Sequence, residues 1–160
     1  MKLDMHCHVK EGSIDSKVSL DEYITLLKER GFDGMLITDH DTYKGYRHWK
    51  YQMKGKVHDD FVVLKGIEYD TCDGGHILCI MPEGVKMRLF GTPMVFPVAV
   101  LIDFVHKHGG ILGPAHSMRG QIFKLYEHKA LLRNHQSYLS GLTLLKHLMH
   151  VNQQSLMREP

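Results

Sequence analysis

The sequence predicts an α/β protein whose sheet or barrel is mainly parallel. Segments with the residue alternation or the β-branched runs of strands alternate along the chain with segments that have helical spacing and helix caps. The 160 residues, of which 43% are hydrophobic, suffice for one ordinary domain and are few for two. We therefore expect one α/β domain.

The first two elements are a strand and a helix. In Lys2–His8, apolar and polar residues alternate, which is the period of a strand and puts the rings of His6 and His8 on the same face. The range Ser19–Gly31 is predicted as a helix. Its serine and the glutamate three residues later form a capping box, apolar residues follow at helical spacing, and a glycine ends it.

Four further strands and one long helix follow. Most of these strands are short runs rich in apolar residues. The strand that begins at Gly75 is entered through an Asp-Gly-Gly turn signal. The helix has a proline in its first turn and ends in Lys, His and Gly. The predicted strands are Gly34–His40, Phe61–Asp70, Gly75–Met81 and Gly109–His116, the helix is Phe96–His108, and Tyr43–Lys56 is predicted as helix plus loop.

Composition and charge argue against several classes of protein. The 20 basic and 18 acidic residues are scattered and give a net charge of +2, so no surface for duplex nucleic acid is indicated. The 3 cysteines form no Cys-x-x-Cys pair, which indicates reduced thiols. A signal peptide and an apolar run of the roughly 20 residues that a membrane span needs are both missing. We expect a cytoplasmic protein without a membrane segment.

Residues that can bind metal ions gather near the predicted strand ends, and the chain contains 13 histidines. At the carboxyl edge of parallel strands, such side chains meet and form sites. Alone, a His-x-His pair could equally be two half-buried imidazoles; Cys7, on the opposite face, is expected to be a buried apolar residue. The candidates at these ends are His6, His8, Asp39, His40, Glu68 and His116, with His76 at the start of its strand.

Five motifs, taken in order, resemble the PHP domain family, the polymerase and histidinol phosphatase superfamily of metal-dependent phosphoesterases. They are DMHCH, ITDHD, GIEYD, GGHIL and GGILGPAH, and the resemblance runs from Leu3 to about Ser117. It implies a distorted (β/α)7 TIM-like barrel of PHP type, here lacking the final strands, with a dinuclear or trinuclear metal cluster at the carboxyl ends of the strands.

The resemblance also implies which residues bind the metals. His6, His8 and Glu68 look like ligands of a first metal, and Glu68 looks like the bridge to a second metal that is held by His76 and His116. Mixed imidazole and carboxylate ligands fit Zn, Mn or Fe.

A third metal is implied beside the first two. His40 looks like its ligand and Asp15 like the companion of His40, while Asp39 looks like a residue that binds or supports the same metal. The predicted catalytic residues are Glu68, Asp39 and His40.

The implied activity is metal-assisted hydrolysis of a small phosphorylated metabolite or nucleotide, a phosphomonoester or phosphodiester, in which a bridging hydroxide attacks phosphorus in line. An alternative is a catalytically silent metal-binding module, because the first and third metals each lack a ligand. Proofreading, as in polymerase-associated PHP domains, would require an adjoining polymerase. The sequence does not indicate an oligomeric state.

The C-terminal part of the chain departs from the family pattern. The usual Ile-Glu-x-Phe-Asn-Ala strand and Gly-Ser-Asp-x-His segment are missing, so we predict an incomplete PHP domain over residues 1–137 and a non-family tail over 138–160, helical between Tyr138 and Met157. Reread in a shifted frame, the codons from Gly141 permit the missing strand. We hypothesise a frame disruption between about Met118 and Gly141, which the nucleotide sequence would test.

Overall fold

The computed structural model describes residues 1–73, 75–85 and 96–116. The chain divides into two compact units; their described residues are 1–67 in the first unit and 68–73, 75–85 and 96–116 in the second. The strands are β1 (Leu3–Cys7), β2 (Gly34–Ile37), β3 (Val62–Thr71), β4 (Gly75–Ile80) and β5 (Ile111–Pro114), and the α-helices are α1 (Leu20–Glu29), α2 (Lys44–His48) and α3 (Val98–Lys107).

Three parallel strands form the sheet of the first unit, in the order β1-β2-β3. Leu3 pairs with Gly34, which in turn pairs with Val62. A side chain at Gly34 would collide with the Val62 carbonyl oxygen, so glycine permits the close approach of these strands. The predicted parallel pairing is therefore present in this unit.

Helix α1 covers one side of this sheet. The Ser19 hydroxyl accepts a hydrogen bond from the Glu22 backbone N–H at 3.3 Å, which confirms the predicted N-cap. The helix ends before Gly31, whose φ of +71° is a conformation that glycine adopts without strain. Its buried side chains, Leu20, Ile24 and Leu27, belong to a core that also contains Cys7, Val9, Phe32, Met35, Ile37, Trp49, Met53 and Phe61.

The aromatic segment between β2 and β3 forms helix α2 and then a π-helical turn over Trp49–Met53. The side chains of Trp49 and Met53 are buried in the core of the first unit, whereas Tyr51 is exposed. The aromatic face therefore packs mainly inward, as expected for a helix that covers a sheet.

The second unit contains the end of β3, then β4, α3 and β5. Strands β4 and β5 are antiparallel, with Ile77 opposite Pro114 and Ile80 opposite Ile111. The sequence pattern predicts a mainly parallel arrangement because strands alternate with helices, but this alternation is interrupted between β3 and β4, where no helix intervenes. Only residues 72–74 connect β3 to β4, which is too short for a parallel crossover, so β4 reverses the chain direction.

The mixed α/β class is confirmed, whereas the distorted (β/α)7 barrel that lacks its final strands stays a prediction. The predicted tail, residues 138–160, lies outside the described residues. Within the described ranges, none of the helices has the length and apolar character that a membrane span requires.

Candidate metal centre

The first unit brings together His6, His8, Asp15 and His40, which we call the first-unit cluster. His6 lies in β1 and His8 directly after it, so the alternation of the strand points both rings to one side. Their Nε2 atoms are 3.1 Å apart. Two imidazole ligands of one tetrahedral zinc ion, with Zn–N bonds of about 2.0–2.1 Å, would lie roughly 3.3 Å apart. The observed pair is close to that spacing.

His40 and Asp15 complete this cluster from two loops. His40 follows β2, and its Nε2 lies 3.6 Å from Asp15 Oδ2. The rings of His8 and His40 stack with their centroids 4.6 Å apart. One ligand atom from each of His8, Asp15 and His40 lies within 4.8 Å of the other two, which is a separation that one ion can span. Asp15 is half exposed, so this side of the cluster faces solvent.

Asp39 is fully buried next to the first-unit cluster. Its carboxylate accepts hydrogen bonds from the Val9 N–H (2.9 Å), the Gly45 N–H (3.0 Å) and the Ser13 hydroxyl (3.2 Å). Burial raises the pKa of Asp39, and these hydrogen bonds partly offset that rise. Through these hydrogen bonds the carboxylate connects the loop after β1 to the start of α2. Because Asp39 is the residue that precedes His40 in the chain, these bonds also help to position His40.

Ser13 is a residue of this site that the sequence reasoning missed. Its hydroxyl lies 3.2 Å from Asp39 Oδ1, 3.1 Å from the backbone N of His40 and 3.4 Å from His8 Nδ1. A serine in a loop carries no periodic signal, so only the folded loop reveals these contacts.

The second unit brings together Glu68, His76 and His116, which we call the second-unit cluster. Glu68 Oε1 lies 2.9 Å from His76 Nδ1 and 3.3 Å from His116 Nε2. The cluster depends on the antiparallel pairing of β4 and β5, because this pairing places the start of β4 beside the end of β5. Accordingly, the Ala115 N–H donates to the His76 carbonyl at 3.0 Å.

Glu68 occupies an unusual position for a carboxylate. It lies inside β3, within the strand predicted over Phe61–Asp70, and none of its surface is exposed. A buried carboxylate is normally paired with a cation or bound to a metal. One carboxylate and two imidazoles, with ligand atoms within 4.8 Å of one another, form a donor set that suits a divalent transition ion.

Asp70 was not predicted as a site residue, yet it lies beside the second-unit cluster. Its Oδ1 is 3.4 Å from His76 Nε2, so the imidazole has the Glu68 carboxylate at one nitrogen and the Asp70 carboxylate at the other. Histidines that bind metals through one nitrogen commonly donate the other N–H to a carboxylate. Strand alternation was the available signal, since Asp70 is two residues after Glu68.

Cys7 is not part of the first-unit cluster. Its thiol is buried and donates to the Leu36 carbonyl at 3.1 Å. Burial raises its pKa well above the ordinary value, which disfavours the thiolate that a metal would need. The expectation of a buried apolar cysteine is confirmed.

Comparison with known proteins agrees with this donor chemistry. The family model of the PHP domain matches residues 4–159, which extends past Ser117, where the recognisable motifs end. Among solved structures, the chain is similar to PsfC from Pseudomonas syringae PB-5123, with a TM-score of 0.53 and 14% sequence identity. That alignment covers 71% of this chain and 55% of the PsfC chain, so this chain spans about half of PsfC. No curated protein gave a significant match. Because the family model matches almost the whole chain, the chain belongs to the PHP domain family.

Proposed function

We propose that this protein is a metal-dependent phosphoesterase that hydrolyses a phosphomonoester or phosphodiester of a small metabolite or nucleotide. The observation that carries the proposal is the second-unit cluster, in which a fully buried carboxylate faces two imidazoles. PHP domains are in general phosphoester hydrolases that bind divalent metals, and Glu68, His76 and His116 supply ligands of the required type.

The proposed ligands follow the two clusters. His76, His116 and Glu68 hold one ion, and His6 and His8 hold another through the paired Nε2 atoms that lie 3.1 Å apart. Glu68 as a bridge between these two ions is an inference from the family resemblance. Its complete burial supports this role, because a carboxylate inside a strand stays ionised most readily when cations neutralise it.

A third ion is proposed at His40 and Asp15, with Asp39 supporting it from the buried side. Asp15 is half exposed, which leaves this part of the first-unit cluster accessible to a substrate. Divalent ions bound at such sites activate a water molecule for in-line attack and neutralise charge on the phosphoryl oxygens. Zn, Mn and Fe all suit these ligands.

The test measures bound metal and turnover on the same purified chain. Metal content is determined by elemental analysis, and hydrolysis of p-nitrophenyl phosphate and bis-p-nitrophenyl phosphate is followed with added Zn²⁺, Mn²⁺ or Fe²⁺. We expect hydrolysis that a chelator abolishes. Glu68→Gln, which keeps the side-chain volume, should lower kcat/KM more than about 100-fold and reduce bound metal.

The matched control is Glu29→Gln, at an exposed glutamate at the end of α1, which should leave both properties unchanged. Bound metal without turnover of either substrate would favour the silent metal-binding module. A chain that binds no divalent metal would contradict both readings.

A further inference from the structure

The loop after β1 folds back on itself and buries one hydroxyl. The N–H groups of Gly12 and Ser13 both donate to the Val9 carbonyl at 2.9 Å, so the loop makes a tight turn. This turn directs the Ser13 side chain inward, where only 6% of the residue is exposed. The Ser13 hydroxyl there meets three polar groups, which belong to His8 and His40 of the first-unit cluster and to the adjacent Asp39.

The hydrogen-bond capacity of this hydroxyl restricts how the three groups can be arranged. A serine hydroxyl has one proton to donate and two lone pairs to accept with. The carboxylate of Asp39, at 3.2 Å, is the strongest acceptor within reach and takes that proton. The backbone N–H of His40, at 3.1 Å, can only donate, so it occupies one lone pair.

His8 is the third group, and its Nδ1 lies 3.4 Å from the same oxygen. With the proton of Ser13 already given to Asp39, this contact is favourable only when His8 Nδ1 carries a hydrogen and donates it. The neutral imidazole then has its lone pair on Nε2, which is the atom that lies 3.1 Å from His6 Nε2.

We propose that Ser13 is a positioning residue that holds His8 as the Nδ1–H tautomer, so that His8 offers a metal only Nε2, beside the Nε2 of His6. The same hydroxyl fixes the backbone of His40, and Ser13 thereby orients two ligands of the first-unit cluster at once. This inference rests on the proposed function in treating the cluster as a metal centre, although the tautomer itself does not depend on metal.

The neighbouring packing restricts the hydroxyl to this arrangement. A side chain at Gly12 or at Gly45 would overlap the carboxylate of Asp39, so both glycines leave just enough space for it. Asp39 also accepts from Val9 and Gly45, which fixes both of its oxygens. The acceptor for the Ser13 proton is therefore held in place by the backbone on two sides.

The test is NMR of the imidazole nitrogens in the metal-free protein, at a pH about two units above the ordinary histidine pKa of roughly 6.5. Long-range ¹H–¹⁵N correlations report which nitrogen of each ring carries the hydrogen. We expect His8 in the Nδ1–H form in the wild-type chain. In Ser13→Ala, this preference should be lost, and in Ser13→Thr, which keeps the hydroxyl, it should be retained.

Ser16→Ala is the matched control. The Ser16 hydroxyl lies in the same loop but donates to the His8 carbonyl at 2.9 Å, so its removal should leave the ring tautomer unchanged. The affinity for Zn²⁺ is measured on the same variants. Ser13→Ala should lower the affinity of the first-unit cluster by about 10- to 100-fold, the range typical of residues that orient a metal ligand. Ser13→Thr and Ser16→Ala should bind Zn²⁺ within about threefold of the wild type, a margin far below the loss expected of an orienting residue.

An Nε2–H form of His8 in the wild-type chain would overturn the inference, and this measurement needs no variant to fold. An unchanged tautomer in a folded Ser13→Ala chain would overturn it as well. The two proposals can fail independently. An Nδ1–H tautomer in a chain that binds no metal would contradict the phosphoesterase proposal, whereas Ser13 would still be the residue that sets the tautomer of His8.

Discussion

At the scale of single residues, the geometry of the first-unit cluster depends on small neighbouring residues as much as on its proposed ligands. Gly12 and Gly45 border the carboxylate of Asp39 so closely that any added side chain would overlap it. The carboxylate in turn holds Val9 and Ser13 of the loop after β1. A side chain at Gly12 or Gly45 should therefore disturb the proposed metal centre, although neither glycine has a side chain that could bind a metal.

Gly12→Ala should lower the affinity of the first-unit cluster for Zn²⁺ by about tenfold or more, because displacement of Asp39 releases the groups that orient the ligands. Isothermal titration with Zn²⁺ measures the effect. Gly31→Ala is the control: its φ of +71° makes alanine strained, but an added side chain there meets open space away from the cluster. Gly31→Ala should lower stability and leave Zn²⁺ affinity unchanged; equal losses of affinity in the two variants would contradict the prediction.

Asp4 should make the stability of the chain depend on pH. Burial raises its pKa, although the His6 N–H and the Tyr23 hydroxyl donate hydrogen bonds to it. Because its pKa is higher in the folded than in the unfolded chain, ionised Asp4 opposes folding above that raised pKa. This opposition disappears as the pH falls through the folded pKa and towards the ordinary value of 3.8.

Asp4→Asn should therefore raise the free energy of unfolding at pH about 7, and this gain should shrink as the pH approaches the ordinary aspartate range near 4. Urea unfolding at several pH values measures it. Asp33→Asn, at an exposed aspartate, serves as the control and should show no comparable gain. A gain for Asp4→Asn that grows as the pH falls would have the wrong sign and refute the prediction.

At the scale of elements, the sequence predicts positions better than directions. Alternation in β1 correctly predicts that His6 and His8 share a face, and the capping box correctly predicts the start of α1 at Ser19. The antiparallel β4–β5 pair was not predicted, since an apolar run has the same pattern in either direction. Ser13 was missed for a different reason: its contacts come from loop geometry, which has no period.

Strand β5 offers a direct comparison of buried and exposed positions. Leu112 is 1% exposed and pairs with Cys79, whereas its neighbour Ile111 is 36% exposed and pairs with Ile80. Leu112→Ala should lower the free energy of unfolding by about 2–5 kcal/mol because it leaves a cavity. Ile111→Ala should cost less than about 1 kcal/mol, as is usual for surface positions. Urea unfolding separates the two, and equal costs would contradict the assigned register.

At the scale of the whole molecule, the candidate ligands come from distant parts of the chain. His6 and His8 precede the first helix, while His76 and His116 belong to the second unit. Because an unfolded chain does not hold such residues together, metal binding should stabilise the folded chain as a ligand that binds only the native state. The predicted boundary at residue 137 and the frame hypothesis remain predictions at this scale.

Zn²⁺ or Mn²⁺ should accordingly raise Tm. A free concentration 100 times Kd adds about 2.7 kcal/mol per site, which is roughly 5–11 °C for a chain of this length. A thermal melt with and without the metal measures the shift, and a chelator should reverse it. Ca²⁺, which prefers six to eight oxygen ligands, should not produce it. An equal shift with Ca²⁺ would indicate binding outside the histidine clusters.

The antiparallel β4–β5 pair has a kinetic consequence. A slip of one residue between these strands would turn the His76 side chain to the opposite face, away from Glu68. An ion bound by His76 and His116 would therefore lock the register, and its departure would be coupled to local opening of the pair. In hydrogen exchange, the Ala115 amide, which donates to the His76 carbonyl, would exchange more slowly when metal is present. Its exchange rate would then report how long the ion stays bound.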